Sequence, residues 1–139
     1  MKANDIMTKS VVTCATDAPI RLIARRMSQY GCGILPVVSK EEDKSLVGVI
    51  TDRDIVCRVI ADGVDLKHAS ASLFMSYPVV TVTPHTPLCE CTRILRANEI
   101  RRLIVVDELG KCLGVVSQVD IDRTLSKRGK RISSEATGI

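Results

Sequence analysis

Two pairs of side chains in the sequence place an acid three positions after a hydroxyl. They are Thr51 with Asp54 and Ser117 with Asp120, and each pair follows a short apolar run that contains a glycine. This pattern predicts a strand that ends at the hydroxyl residue and a helix that begins there. A carboxylate so placed can accept hydrogen bonds from both hydroxyls of a ribose, and a helix N-terminus favours a nearby anion such as phosphate.

The same spacing also has a purely structural explanation. A hydroxyl followed three residues later by an acid is a capping box, and the loss of such a cap costs about 1 kcal/mol of stability. The glycines upstream, Gly48 and Gly114, favour the ligand-binding interpretation, since a residue without a side chain lets other atoms approach closely. Both interpretations stay open at this point.

The two pairs belong to an internal duplication. Residues 46–55 return 66 positions later as residues 112–121, and residues 7–19 and 33–38 match residues 75–87 and 101–106 at a spacing of 68. A repeated unit that cannot close its own core packs against its twin. The sequence therefore predicts one compact body with pseudo-twofold symmetry.

Each copy shows the pattern β-α-β-β-α, which predicts the α+β fold class. Ile20, Ile23, Met27 and Tyr30 fall on one face of a helix predicted over 20–30, and the twin helix is predicted over 88–98. We expect short lead-in helices at 4–7 and 72–75, strands at 11–13, 34–38, 46–50, 79–81, 103–106 and 112–116, and second helices at 52–62 and 118–126. The predicted units are 1–65 and 66–126, followed by a basic, flexible tail at 127–139.

Composition narrows the functional classes. With 139 residues, 45% of them hydrophobic and 26% charged, the chain is long enough for a globular core. Its apolar runs are too short to span a bilayer and no secretory signal begins it, so we expect a cytoplasmic protein without a membrane partner. The net charge of +4 comes largely from the tail, and only two Tyr and one Phe could stack on bases. Both features argue against a nucleic-acid partner.

The cysteines and histidines do not form a chemical site in the sequence. Six cysteines lack the spacing of zinc ligands, so we expect no metal. Cys14, Cys32, Cys91 and Cys112 align with aliphatic residues in the twin repeat, which predicts reduced core thiols, whereas Cys89 aligns with Arg21 and should be exposed. No nucleophile and base are spaced for catalysis, so we expect no catalytic residues and no catalytic cofactor.

The duplicated unit, the strand at 33–38 and the run Gly48-Val49-Ile50-Thr51-Asp52-Arg53-Asp54 resemble the cystathionine β-synthase (CBS) domain. Two such domains in tandem form a Bateman module, and the resemblance covers residues 3–125. It implies a stand-alone CBS-pair protein, a non-enzymatic regulatory sensor of cellular energy state. It also implies adenosine-containing ligands (AMP, ADP, ATP, NAD or S-adenosylmethionine), a homodimer, and a downstream protein partner that the sequence does not identify.

The resemblance also assigns roles to individual residues. Thr51, Asp54, Ser117 and Asp120 would bind ribose in two clefts between the units. Adenine would lie against Val12, Thr13, Ile34, Leu35, Pro36, Val80 and Thr81. Phosphate would meet Arg101 and Arg102 opposite the Thr51/Asp54 cleft, and Arg53 opposite the Ser117/Asp120 cleft.

Two residues depart from the family pattern. Ile104 stands where the family prefers Pro, and Val119 occupies the position that Arg53 holds in the first unit. The Thr51/Asp54 cleft, with two arginines, is therefore the expected site for a phosphorylated ligand. The departures also leave open an alternative, a structural or protein-interaction module with degenerate clefts.

Overall fold

The computed structural model describes residues 1–136, with side chains as far as Arg128. The first half contains α1 (Ala3–Ile6), β1 (Cys14–Ala15), α2 (Ile20–Tyr30), β2 (Ile34–Val38), β3 (Leu46–Thr51) and α3 (Asp52–Asp54), which continues as a π-helical segment (Ile55–Ile60). A 3-10 turn (Leu66–His68) leads into α4 (Ala71–Phe74), β4 (Thr81–Val82), α5 (Leu88–Ala97), β5 (Arg102–Val106), β6 (Cys112–Ser117) and α6 (Gln118–Ala136). The β-α-β-β-α order predicted for each unit is confirmed.

Each unit contains a three-stranded mixed sheet. In the first, β1 runs parallel to β2 and β2 antiparallel to β3, with Ile34 opposite Thr51. The second sheet repeats this as β4, β5 and β6, with Arg102 opposite Ser117. The two small sheets with their helices make the fold α+β, as predicted. In each sheet the pairing places the start of the second strand beside the hydroxyl residue that ends the third.

Helix α2 shows why the sequence folds in this way. Ile20, Ile23 and Met27 are buried against the first sheet, because a spacing of three and four residues returns each side chain to the same face. The helix ends at Gly31, whose φ of 63° lies in the left-handed region that glycine adopts without a steric cost. Tyr30, predicted on the same apolar stripe, is the last residue of the helix and is 59% exposed.

The two lead-in helices are exchanged between the units. Ala3 of α1 is fully buried in the core of the second unit, and its N–H donates to the Thr86 carbonyl at 2.9 Å. Ala71 of α4 is buried in the core of the first unit, where its N–H donates to the Ala18 carbonyl at 2.9 Å. The predicted boundary near residue 65 therefore does not separate the two packed bodies, since each core contains a lead-in from the other half of the chain.

The lead-ins also explain the strand glycines. A Cβ on Gly48 would lie 2.5 Å from the Met75 Sδ, and one on Gly114 would lie 2.7 Å from the Thr8 carbonyl oxygen. Thr8 bridges to Val115 in the same region. The other unit's lead-in thus fills the space that each glycine provides. The sequence analysis had instead taken these glycines as a sign that a ligand approaches there.

Apolar residues of both sheets meet between the units. Val38, Ile104 and Cys112 are buried there. The hairpins join at one end of this interface, where Leu46 N–H donates to the Gly110 carbonyl at 3.1 Å. Lead-in bridges, Thr8 to Val115 and its counterpart Val49 to Ser76, join the units as symmetric pairs, which gives the pseudo-twofold arrangement that the duplication predicted.

Most element boundaries lie within two residues of the prediction, and three elements differ more. Strand β1 begins at Cys14, after residues 11–13, because Val11 and Val12 face the space between the units. The second helix of unit one becomes π-helical at residues 55–60, a stretch rich in β-branched residues that fit an α-helix less well. Helix α6 continues to Ala136, so the segment predicted as a tail from 127 is helical to that point, and residues 137–139 lie outside the described residues.

Within the described chain, every helix is too short or too polar to cross a membrane.

Candidate functional site

A cavity of about 400 Å³ lies between the two units, beside Ser117 and Asp120. This volume is within the range of sites for small organic ligands. One wall comes from the first lead-in and the α2–β2 connection, and the other from β5, β6 and the first turn of α6. The lining residues are Thr8, Ser10, Val11, Val12, Tyr30, Gly31, Cys32, Gly33, Ile34, Arg102, Val115, Ser117 and Asp120.

The Ser117/Asp120 pair forms half of a capping box. Asp120 N–H donates to the Ser117 Oγ at 3.1 Å. In the described chain no return hydrogen bond from Ser117 N–H reaches the Asp120 carboxylate, whose side chain is 36% exposed. One of its oxygens lies 4.0 Å from the guanidinium of Arg123. The carboxylate therefore keeps acceptor capacity for a ligand.

The Thr51/Asp54 pair forms the complete capping box. Asp54 N–H donates to the Thr51 Oγ1 at 3.1 Å, and Thr51 N–H donates to the Asp54 Oδ2 at 2.9 Å. The other oxygen, Oδ1, lies 4.0 Å from Arg58, whose guanidinium also donates to the Phe74 carbonyl at 3.0 Å. The structural interpretation of the spacing thus describes this pair well, and only 19% of the Asp54 side chain is exposed.

The residues predicted to contact adenine fall into different environments. Val12 and Ile34 line the cavity. Thr13 is half-buried, and its carbonyl accepts a hydrogen bond from Arg26, which also pairs with Glu41 and so ties this segment to α2. In the second unit Val80 is half-buried beside the core, and Thr81 is exposed at the start of β4.

Leu35 and Pro36 do not present open surfaces. Leu35 is fully buried in the core of the first unit, so a contact with adenine there would come from its backbone, and the assignment of this segment stays a prediction. The pleat explains this result, since successive strand side chains point to opposite faces and Ile34 faces the cavity. Pro36 is buried opposite Val49 in the sheet.

The three arginines predicted to bind phosphate are also placed differently. Arg102 is half-buried and lines the cavity with Ser117 and Asp120, although the sequence analysis assigned it to the other cleft. Arg53 and Arg101 are exposed, and neither is among the described residues that line this cavity. Because Arg102 begins β5 directly opposite Ser117, the register of the sheet decides its position.

Several lining residues were not predicted. Thr8 and Ser10 come from the lead-in, and Tyr30 and Cys32 flank the turn after α2. Tyr30, an aromatic residue next to a glycine, was the one sequence signal for this turn. The sequence of the lead-in gave no signal of a role in the cavity, since that role depends on the exchange between units.

The cysteines lie largely as the repeat predicted. Cys14, Cys91 and Cys112 are buried, Cys32 is half-buried, and Cys57 and Cys89 are exposed; all six are free thiols. Burial raises the pKa of Cys14 to about 12, and burial likewise raises the pKa of Cys91 and of Cys112. These three thiols stay protonated near neutral pH.

The fold and the cavity define a class of protein in which two similar α+β units enclose ligand-sized clefts. The model of the CBS domain matches residues 3–60 and again residues 70–127, so the chain belongs to the CBS-domain family as a tandem pair. The family predicted from the sequence is thereby confirmed.

Known proteins similar to this chain fit that assignment. The CBS domain-containing protein YhcV of Bacillus subtilis is 34% identical over 117 residues, which cover 84% of this chain and 80% of the relative. Two other curated relatives are longer, and the chain spans 61% and 55% of their length.

Solved structures share the fold. The CBS domain protein PAE2072 from Pyrobaculum aerophilum, complexed with AMP, has a TM-score of 0.78 and 26% identity over 86% of this chain and 89% of that one. The CBS domain pair of MJ0100, in complex with 5-methylthioadenosine and S-adenosyl-L-methionine, has a TM-score of 0.77 and 25% identity over 90% of this chain and 99% of that one.

Proposed function

We propose that this chain is a regulatory module that binds an adenosine-containing ligand in the clefts between its two units. The cavity beside Ser117 and Asp120 carries the proposal. A carboxylate outside a capping hydrogen bond, a guanidinium and apolar walls meet there, and those groups match a ribose diol, a phosphate and a purine, respectively.

The cavity also couples ligand binding to the arrangement of the units. Val12 and Ile34 belong to the first unit, and Arg102 and Ser117 belong to the second. A ligand that touches both walls stabilises the arrangement in which they face each other, and it shifts the population toward that state. In this way a ligand bound in the cavity would change the activity of a partner protein.

Isothermal titration calorimetry with AMP, ATP, NAD and S-adenosylmethionine tests the proposal. We expect saturable binding of at least one of the four, and Arg102→Ala should weaken a phosphorylated ligand more than it weakens adenosine. The matched control is Lys127→Ala, which also removes one positive charge but at an exposed position of α6. It should leave binding unchanged. If none of the four ligands binds, the proposal is wrong.

The second candidate is a structural or interaction module, and one observation favours it. The complete capping box at Thr51 and Asp54 shows that this pair has a role without any ligand. Small molecules that co-purify with the native protein, identified by mass spectrometry, separate the candidates, because a purely structural module would carry no adenosine compound.

We further propose that the module acts as a homodimer. The helical segments that follow the two pairs expose large apolar side chains, with Val56 and Ile60 56% and 64% exposed in one and Val119 and Leu125 62% and 49% exposed in the other. Association of two copies would bury this surface.

A further inference from the structure

We propose that the two clefts are unequal, and that the Ser117/Asp120 cleft is the primary site for the adenosine-containing ligand. This inference rests on the proposed function and names which cleft performs it. It reverses the order expected from the arginine count, which favoured the Thr51/Asp54 cleft.

The carboxylate of Asp54 is already engaged. Its Oδ2 accepts the Thr51 N–H at 2.9 Å, and its Oδ1 faces Arg58 at 4.0 Å. Arg58 is held in turn by the Phe74 carbonyl at 3.0 Å. A ribose at Asp54 would find one acceptor position of Oδ2 already used by the cap and Oδ1 facing a cation that is held in place, so this carboxylate offers it fewer open acceptor positions.

The carboxylate of Asp120 is not engaged in this way. Its backbone N–H donates to the Ser117 Oγ at 3.1 Å, while the side chain stays on the cavity wall. Its exposed fraction, 36%, is about twice the 19% of Asp54. Arg123, 4.0 Å away, is itself 65% exposed, so solvent screens this contact. Ribose hydroxyls can therefore bind Asp120 without competing with a capping hydrogen bond.

Two further groups complete the primary site. Arg102 lies opposite Ser117 in the sheet and lines the cavity, where it can meet a phosphate. Tyr30 stands at the rim, 59% exposed, and offers an aromatic face to a purine. The twin of Tyr30 is Asn98, and the twin of Arg102 is Ile34. The other cleft therefore lacks an aromatic residue at the position of Tyr30. It does not lack an arginine, because Arg102 is the twin of Ile34, which also lines this cavity, so Tyr30 is the group that distinguishes the two clefts.

The aromatic composition supplies a site-specific probe. The chain has no Trp and two Tyr, Tyr30 and Tyr77, so a Tyr77→Phe variant carries a single tyrosine that lines the primary site. We expect AMP to change the fluorescence of this variant with the same midpoint as the tighter binding event in calorimetry. A tight calorimetric event that leaves Tyr30 fluorescence unchanged would overturn the inference.

Asp120→Asn and Asp54→Asn, each titrated with AMP, test which of the two carboxylates binds the ligand. Asp120→Asn should weaken the tighter event about 10- to 150-fold, the loss of a charge-assisted hydrogen bond, and should remove the Tyr30 response at the parent's midpoint. Asp54→Asn should change the tighter event less than about threefold and lower Tm by about 2–4 °C, because it disrupts the capping box. Thr51→Ala should show the same lowered Tm with retained binding.

The outcomes separate the inference from the proposed function. If Asp54→Asn weakens the tighter event and Asp120→Asn does not, or if both weaken it equally, the clefts are not ordered as proposed, although the protein remains an adenosine-binding module. If AMP does not bind the parent while S-adenosylmethionine does, the same three variants are titrated with S-adenosylmethionine under the same criteria. If neither probe binds, the inference fails, and the proposed function fails with it only when ATP and NAD do not bind either.

Discussion

At the scale of single residues, equivalent positions of the two repeats can hold different residue types. Cys14 occupies the position of Val82, and both are buried in equivalent places of their sheets. Ile34 and Arg102 are likewise equivalent, yet one is apolar and the other charged. A replacement taken from the twin repeat therefore tests what a residue adds beyond filling its space.

Cys14→Val should remove a pH dependence from stability. The ordinary thiol pKa of 9.0 applies to the unfolded chain, and burial raises the pKa in the folded protein to about 12. Between these values the unfolded state releases a proton that the folded state keeps, so the free energy of unfolding falls as pH rises, by up to about 1.4 kcal/mol per pH unit. Urea denaturation between pH 8 and 10.5 should give a shallower decline for Cys14→Val than for the parent. Equal slopes would contradict the prediction, and Cys89→Ser, at an exposed thiol, is the control.

Gly114→Ala should destabilise the fold by about 1–3 kcal/mol, the usual cost of overpacking. The added Cβ would lie 2.7 Å from the Thr8 carbonyl oxygen, a backbone atom that cannot turn aside, and 2.9 Å from the Met7 Sδ. Gly33→Ala is the matched control, because the nearest neighbours of its Cβ would be atoms of the Asp52 side chain, at 3.0 Å and beyond, and that side chain is exposed and can rotate. Chemical denaturation measures both, and a larger loss for Gly33→Ala would refute this explanation.

At the scale of elements, the exchanged lead-ins decide how the units depend on each other. Helix α1 has four residues, too few to be stable alone, so its structure comes from the second unit that it contacts. Helix α4 depends on the first unit in the same way. Each unit is thus completed by a segment that precedes the other.

Ala3→Leu should loosen the second unit although the residue begins the first. Ala3 is fully buried beside Val82 and Leu88, and a larger side chain there forces the lead-in away. Hydrogen exchange followed by mass spectrometry should show faster exchange in β4, α5 and β5. Ala71→Leu, buried in the other core, is the matched variant and should raise exchange in α2 and β2. If Ala3→Leu affects α2 and β2 instead, the exchange of lead-ins is wrong.

At the scale of the whole molecule, the proposed dimer predicts an assembly with twice the chain mass of 15.2 kDa. Light scattering at tens of micromolar measures it. A Val56→Glu, Val119→Glu double variant should shift the protein toward the monomer, because charges at a buried apolar contact are costly. Leu109→Glu, 78% exposed in the β5–β6 hairpin loop, is the control. A parent that is monomeric with and without nucleotide would end the dimer proposal.

The sequence alone determined the features that depend on neighbours along the chain. The duplication, the β-α-β-β-α order and the two hydroxyl–acid pairs follow from local spacing, and Ile34–Val38 was predicted to the residue. The capping box at Thr51 and Asp54 was also predictable, since its two partners are three residues apart.

Only the tertiary structure decided the features that join distant residues. The lead-ins could not be assigned to the opposite unit from sequence, because Ala3 and Thr86 meet only after the chain folds. The sheet register placed Arg102 beside Ser117 and directed Leu35 into the core. The cap bond to Asp54 and its absence at Asp120 likewise arise from surrounding contacts that two motifs of the same spacing do not share, which is why the proposed order of the clefts depends on the fold.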